Sequence, residues 1–192
     1  MTDLRADPFD ALAAEAATCT RCDLAAGRTN VVFGVGNRRA RLVFVGEGPG
    51  RDEDLQGEPF VGRSGKLLDR LMAEELGMDR TQCYVCNTVM CRPPNNRDPR
   101  PDEMAACRPY LDQKLALIRP AVIVTLGNVA TRALLATNEG IRRLRGRAYP
   151  FGDAQLVPTY HPAAALRSGG EVVAEMRADL VRAKRLLAER RR

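Results

Sequence analysis

R-L-V-F-V-G-E-G-P-G, residues 41–50, is the stretch on which the fold turns. Its apolar run is unbroken and stops at a glycine, which predicts a strand at 41–46 buried on both faces. Two more runs have the same character, C-Y-V-C-N-T-V at 83–89 and A-V-I-V-T-L-G at 121–127, and A-Q-L-V-P-T at 154–159 makes a fourth. Helical spacing fills the intervals. Leu67, Leu68, Leu71, Met72 and Leu76 share one face of 63–76, which Gly77 closes. Residues 102–118 follow Pro101 with Asp102 and Glu103 in the first turn, and Pro109 is expected to kink or split that helix. Short helices are expected at 8–17 and 128–136, and a hairpin-like connection at 139–152. The final helix, 171–189, sets Val172, Val173, Met176, Leu180, Ala183 and Leu187 against a face of arginines. Strands alternating with helices predict an α/β fold. It is a three-layer α/β/α sandwich around a central four-stranded, mainly parallel sheet, in one domain over 1–192.

The 192 residues suit one domain, and nine aromatics with no tryptophan leave the core mostly aliphatic. Thirty Lys and Arg against 24 Asp and Glu give +6, a basic excess that suits a polyanion partner or simply a basic proteome background. The acidic start has no hydrophobic leader, and no apolar run reaches membrane-spanning length, so a cytoplasmic protein with no membrane partner is expected. Thiols stay reduced there, so six cysteines point to metal binding or chemistry more than to disulfides. Cys83 and Cys86 sit three apart on a strand and face opposite ways, as small buried residues. Cys19 and Cys22 end the first helix, Cys91 precedes two prolines, and Cys107 lies in the proline-containing helix. Four thiols without histidine suit tetrahedral zinc or an iron–sulfur cluster, and spacing alone does not choose.

Ligands of open α/β sheets bind beyond the carboxyl ends of the strands. That rule brings G-E-G-P-G, Asn87 and P-T-Y-H-P to one rim. Glu47 puts a negative charge in the glycine turn and Pro49 removes an amide, so phosphate binding is disfavoured. The turn instead suits amides facing a neutral carbonyl with Glu47 near a reacting carbon, or else a solvated acidic turn. Phe60, between glycines at 57–62, either stacks on a flat ligand or caps the core. Asn87 offers a donor and an acceptor on one edge, matching a base, or is an ordinary strand-end asparagine. His161 is the sole histidine and is held extended by Pro162; a lone histidine is more often structural than catalytic, and its place on the rim narrows that gap.

In order and spacing, C-T-R-C, V-G-E-G-P-G-R-D-E-D, G-E-P-F-V-G-R-S-G, N-T-V-M-C-R-P-P-N-N-R, the Cys91–Cys107 interval and T-Y-H-P-A-A-A-L-R resemble the uracil-DNA glycosylase superfamily. The closest likeness is to its type-4 iron–sulfur members, over roughly residues 15 to 168. The resemblance implies an enzyme of base excision repair that flips uracil from DNA and hydrolyses its glycosidic bond. It implies a structural [4Fe-4S] cluster on Cys19, Cys22, Cys91 and Cys107, with zinc the alternative. Phe60 would stack on the base, Asn87 would read its edge, the Gly48 amide would meet a carbonyl and His161 would donate to O2. Glu47, with Glu53, would position water and stabilise positive charge. Arg92, Arg97 and Arg167 would touch phosphates, and the loop Ala163–Arg167 would wedge into the vacated stack. The tail Arg190–Arg192 would add DNA contacts or be unstructured. A monomer is expected. Competing readings are a DNA-binding module without catalysis, which would need none of Glu47, Asn87 and His161, and a nucleotide-binding enzyme, which Glu47 and Pro49 disfavour.

Overall fold

A computed structural model describes residues 7–189; the acidic start and the arginine tail 190–192 lie outside the described residues. Helix α1 (Pro8–Ala17) is capped by Asp7, whose carboxylate accepts from the Phe9 amide at 2.8 Å, and one turn, α2 (Leu24–Gly27), follows. Strands β1 (Val35–Gly36) and β2 (Leu42–Gly46) lead to α3 (Arg51–Gln56) and α4 (Arg63–Leu71). The end of α4 widens into a π turn, Met72–Leu76, which Gly77 closes at φ 66°. Next come β3 (Tyr84–Asn87), α5 (Pro101–Ile118), β4 (Val122–Leu126), α6 (Asn128–Leu135) and α7 (Ile141–Leu144). The chain closes through β5 (Tyr149–Phe151), β6 (Ala154–Thr159), α8 (Pro162–Ser168) and α9 (Gly170–Glu189).

Among the described residues the strand order is β1-β3-β2-β4-β6-β5. The four expected strands are the central ones, and all three of their pairings are parallel. The sheet is nonetheless six-stranded, not four-stranded, because β1 and β5 add antiparallel edges. Both are too short for a periodic signal. β5 carries Pro150, which an edge tolerates; it lies with α7 in the segment expected to be a hairpin-like connection, and it does pair antiparallel with β6.

Alternate residues of the buried strands face opposite layers. Leu42, Phe44, Val85, Val124 and Val157 pack under α4 and α9, whereas Val43, Val45, Cys86, Ile123 and Leu156 pack under α5 and α6. Cys83 and Cys86 fall in different layers, as their spacing requires. A third apolar cluster joins α1 to α5 and holds Cys91 and Cys107.

Pro109 does not split α5, which runs unbroken from Pro101 to Ile118. The carbonyl that the proline leaves without a donor belongs to Ala105, and both residues are exposed, so water can take it. The segment after His161 is also not a loop but helix α8, with Pro162 at its first position.

One buried ion pair fixes the end of β6. Asp179 of α9 is 1% exposed and accepts from Arg145 at 3.0 and 3.1 Å, from the Gly146 amide at 3.0 Å and from Thr159 Oγ1 at 2.8 Å. Thr159 is two residues from His161, so this carboxylate ties the last helix to the rim. Arg145→Ala strands a buried carboxylate and is expected to cost about 3–5 kcal/mol, read as a lower midpoint of chemical denaturation.

Candidate active site

The parallel register sets Gly46 of β2 beside Asn87 of β3. Beyond that pair the chains stay joined. The Thr88 amide donates to Gly46 O at 2.9 Å, and Glu47 O accepts from Thr88 Oγ1 at 2.5 Å and from the Val89 amide at 3.2 Å. Glu47 and Asn87 therefore leave the sheet side by side. A Cβ on Gly46 would lie 2.5 Å from both the Asn87 Oδ1 and the Phe60 ring, so this glycine makes room for the two side chains above it.

Phe60 sits at φ 56°, an unfavourable conformation for a bulky residue, and its surroundings hold it there. Arg80 donates to the carbonyls of Phe60 and, at 2.8 Å, of Pro59, while its Nε bonds Asp69 at 2.6 Å. Gly65 lets α4 approach, since a Cβ there would fall 1.5 Å from the Phe60 carbonyl oxygen. Glu53 completes the frame. Its carboxylate accepts from the amides of Gly50, Val61 and Gly62 at 3.1, 3.1 and 3.2 Å, so it joins the glycine turn to the Phe60 loop.

His161 follows β6 and caps α8. Its Nδ1 accepts from the Ala163 amide at 3.1 Å, which places the proton of the neutral ring on Nε2. The Phe60 and His161 rings lie 5.6 Å apart and tilted by 32°. Gly127 at the end of β4 backs the histidine, with a virtual Cβ 3.0 Å from that of His161.

These groups line one cleft of about 850 Å3, which holds Glu47, Gly48, Phe60, Asn87 and His161 together. Asn87 is 2% exposed and its Oδ1 has no hydrogen-bond partner, one of two such buried side-chain atoms among the described residues. A buried acceptor without a donor costs about 1–3 kcal/mol, so this one points to a ligand N–H. Burial, with help from Asp98, pushes the Glu47 carboxyl up to about 7. Burial and the nearby Arg167 push His161 down to about 4, against the opposing pull of Glu53. His161 is therefore a neutral Nε2–H donor at physiological pH, and Glu47 is poised between its two forms.

The family model described as Uracil DNA glycosylase superfamily matches residues 33–183, more than half of the chain. The chain belongs to that superfamily. A type-4 uracil-DNA glycosylase of Saccharolobus solfataricus is 48% identical over 168 residues, 83% of this chain and 78% of its own length. Type-4 uracil-DNA glycosylases of Sulfurisphaera tokodaii (44% identical, covering 83% of this chain and 76% of theirs) and Thermotoga maritima (47%, covering 78% and 79%) are similar in the same way.

As a uracil DNA glycosylase superfamily member, the chain also gathers its four expected thiols. Cys91 and Cys107 are buried with Leu12, Ala16 and Tyr110, and Cys19 and Cys22 pack against the same cluster. Arg28 donates to Cys91 Sγ at 3.5 Å and to Cys19 O at 2.6 Å. Burial pushes the Cys91 thiol up and the Cys107 thiol up to about 11, so without a cation both are neutral and unreactive. Soft, thiol-only donors fit zinc or an iron–sulfur cluster. No group of three or more His, Cys, Asp or Glu among the described residues closes tightly enough for a single ion.

The arginines separate. Arg167 is exposed on the cleft wall. Arg97 also lines it, but its guanidinium grips the fully buried Glu103 at 2.6 and 2.8 Å, and Arg92 bonds Asn96 at 2.7 Å. Sequence reasoning missed Thr88, Gly127 and Asp98. Gly127 was within reach of the rim rule, since it ends a predicted strand; Thr88 and Asp98 act through backbone and field, which no motif marks.

Glu47 carries a linkage signature. Its folded pKa lies above the ordinary carboxylate value, so the fold holds the proton more tightly than the unfolded chain, and ionisation weakens the fold as pH rises through 4.5 to about 7. Glu47→Gln is therefore expected to raise the melting temperature at pH 8 and to change it little at pH 4, read by thermal denaturation at both values.

Proposed function

We propose that this chain hydrolyses the N-glycosidic bond of deoxyuridine in DNA, releasing uracil and leaving an abasic site for base excision repair. Uracil inside the duplex is out of reach of a cleft this deep, so the nucleotide is extruded into it. The partnerless Oδ1 of Asn87 carries the reading. It accepts the uracil N3–H, and its amide donates to O4. Cytosine offers an unprotonated N3 and an amino group in those places and would leave both dipoles mismatched.

Phe60 stacks on the base. His161 faces O2 with Nε2–H, and Gly48 brings its backbone to a carbonyl. As the bond breaks, negative charge gathers on the base and positive charge on the sugar. A neutral histidine donor stabilises the first without releasing a proton. Ionised Glu47 stabilises the second and orients the attacking water. Glu53, with both carboxylate oxygens taken by amides, acts by holding the turn and the Phe60 loop in place. Arg167 and the exposed Leu166 stand at the mouth, placed for the DNA backbone and for the gap left in the stack. The chain is read as a monomer, since Glu47, Gly48, Phe60, Asn87 and His161 already line one cleft within it. Among the described residues no helix is long and apolar enough to cross a membrane.

The thiol cluster is read as a [4Fe-4S] site on Cys19, Cys22, Cys91 and Cys107, supported by the resemblance to type-4 members and by the thiol-only donors gathered in one apolar cluster. When bound, the group would be held by Cys19 and Cys22 just after α1, Cys91 after β3 and Cys107 within α5, and would crosslink these segments in a structural role.

Release of uracil from a DNA strand carrying one U, by protein purified without oxygen, tests the activity. Glu47→Gln and His161→Ala are each expected to slow single-turnover release by about 10²–10⁴-fold, with the fold intact by circular dichroism. The parent rate is expected to rise with pH through about 7, as Glu47 ionises, and to show no histidine limb near 6.5. A flat profile across pH 6–8 contradicts the role given to Glu47. For the cluster, iron and acid-labile sulfide analysis is expected to give about four of each per chain, and Cys91→Ser is expected to lose both and melt earlier. One zinc per chain in place of iron overturns the assignment.

A further inference from the structure

A second cavity, about 460 Å3, opens beside the cleft and shares Glu53, Ser64, Asn96, Ala163 and Arg167 with its wall. Three arginines line it: Arg51 at the start of α3, Arg63 at the start of α4 and Arg167 near the end of α8. All three are exposed, and none has a hydrogen-bond or ion-pair partner among the described residues. That sets them apart from two other arginines of the cleft lining, Arg97, which is held by Glu103, and Arg132, which donates to Glu139 O at 3.0 Å; Arg142, also unpaired, lines the cleft but not this cavity. Two acids belong to the same cavity. Glu53 has its oxygens committed to three amides, which leaves Asp52 as the one carboxylate facing three unpaired guanidinium groups.

We propose that this cavity is a phosphodiester subsite that takes the backbone next to the extruded nucleotide, with Arg51 and Arg63 as its principal contacts and Arg167 shared with the cleft. The proposal rests on the glycosylase reading above. A nucleotide turned into the cleft leaves its sugar at the mouth, and the phosphates on either side stay tied to that sugar. One of them must lie on the rim, and this cavity is the part of the rim where three unpaired arginines stand together, whereas Arg142 is a single unpaired arginine of the cleft lining. Guanidinium groups present planar forks of N–H donors that match phosphate oxygens. The geometry also moves the phosphate contacts away from Arg92 and Arg97, which would each have to leave a partner.

The test uses full-length protein and single-stranded oligonucleotides with one uracil, in which one phosphate at a time is replaced by a neutral methylphosphonate. The readout is the protein concentration for half-maximal base release. The parent is expected to need several-fold more protein when one particular phosphate flanking the uracil is neutral. The Arg51→Gln/Arg63→Gln double variant is expected to need several-fold more on the natural backbone, and no more when that phosphate is neutralised. Its dependence of log affinity on log salt should be shallower by about 0.7 for each single-strand phosphate that the variant no longer neutralises. Arg39→Gln, an exposed arginine away from the cleft, serves as the control. Equal further loss by the double variant at that position, or unchanged half-saturation on the natural backbone, overturns the subsite. A parent that releases no uracil from the natural strand overturns the glycosylase reading instead, so the two failures are distinct.

Discussion

At Gly46 the sheet has no room for a side chain, and the cleft is arranged around that gap. A Cβ there would meet the amide of Asn87 and the ring of Phe60 at 2.5 Å. Because it is missing, a side chain from the end of β3 and one from the Phe60 loop converge above the end of β2. Gly65 does the same for the Phe60 carbonyl from the far side. Close packing transmits such constraints over several residues, since interiors leave few gaps to absorb a shift. The positive φ of Phe60, the triple grip of Glu53 and the fork of Arg80 are all means of holding a loop against this floor.

Glu47 and His161 are displaced in opposite directions by one cause. Loss of solvent disfavours the charged form of each, raising the acid and lowering the base. The cleft thus prefers neutral occupants until substrate brings charge of its own. A site like this works against the stability of the fold that carries it, and the surrounding hydrogen bonds, from Thr88 to the Glu47 carbonyl and from Ala163 to the His161 ring, offset that strain.

The parallel core was legible because strands buried on both faces read as continuous apolar runs, and the rim rule then brought Glu47, Asn87 and His161 together correctly. What escaped was short or indirect. β1 and β5 have two and three residues, below the length at which a period can be seen. Pro109 was expected to kink or split its helix, yet the helix continues through it, since the carbonyl it frees at Ala105 is open to water, and solvent access is a tertiary fact. Glu53 looked chemical because of its charge and position, whereas its bonds are to loop amides that sequence spacing does not reveal. The separation of Arg97 from Arg167 likewise depended on the buried Glu103, a partner six residues away and invisible to a motif.

The two edge strands carry a further consequence. A sheet whose outer strands were as long and apolar as β2 would present open rows of N–H and C=O groups to a second copy of itself. Here β1 ends at Gly36, and β5 has Pro150 in its middle, which supplies no donor. Neither can template the growth of the sheet into an intermolecular aggregate. The very brevity that hid these strands guards the solubility of a protein whose four inner strands are otherwise continuous hydrophobic tape.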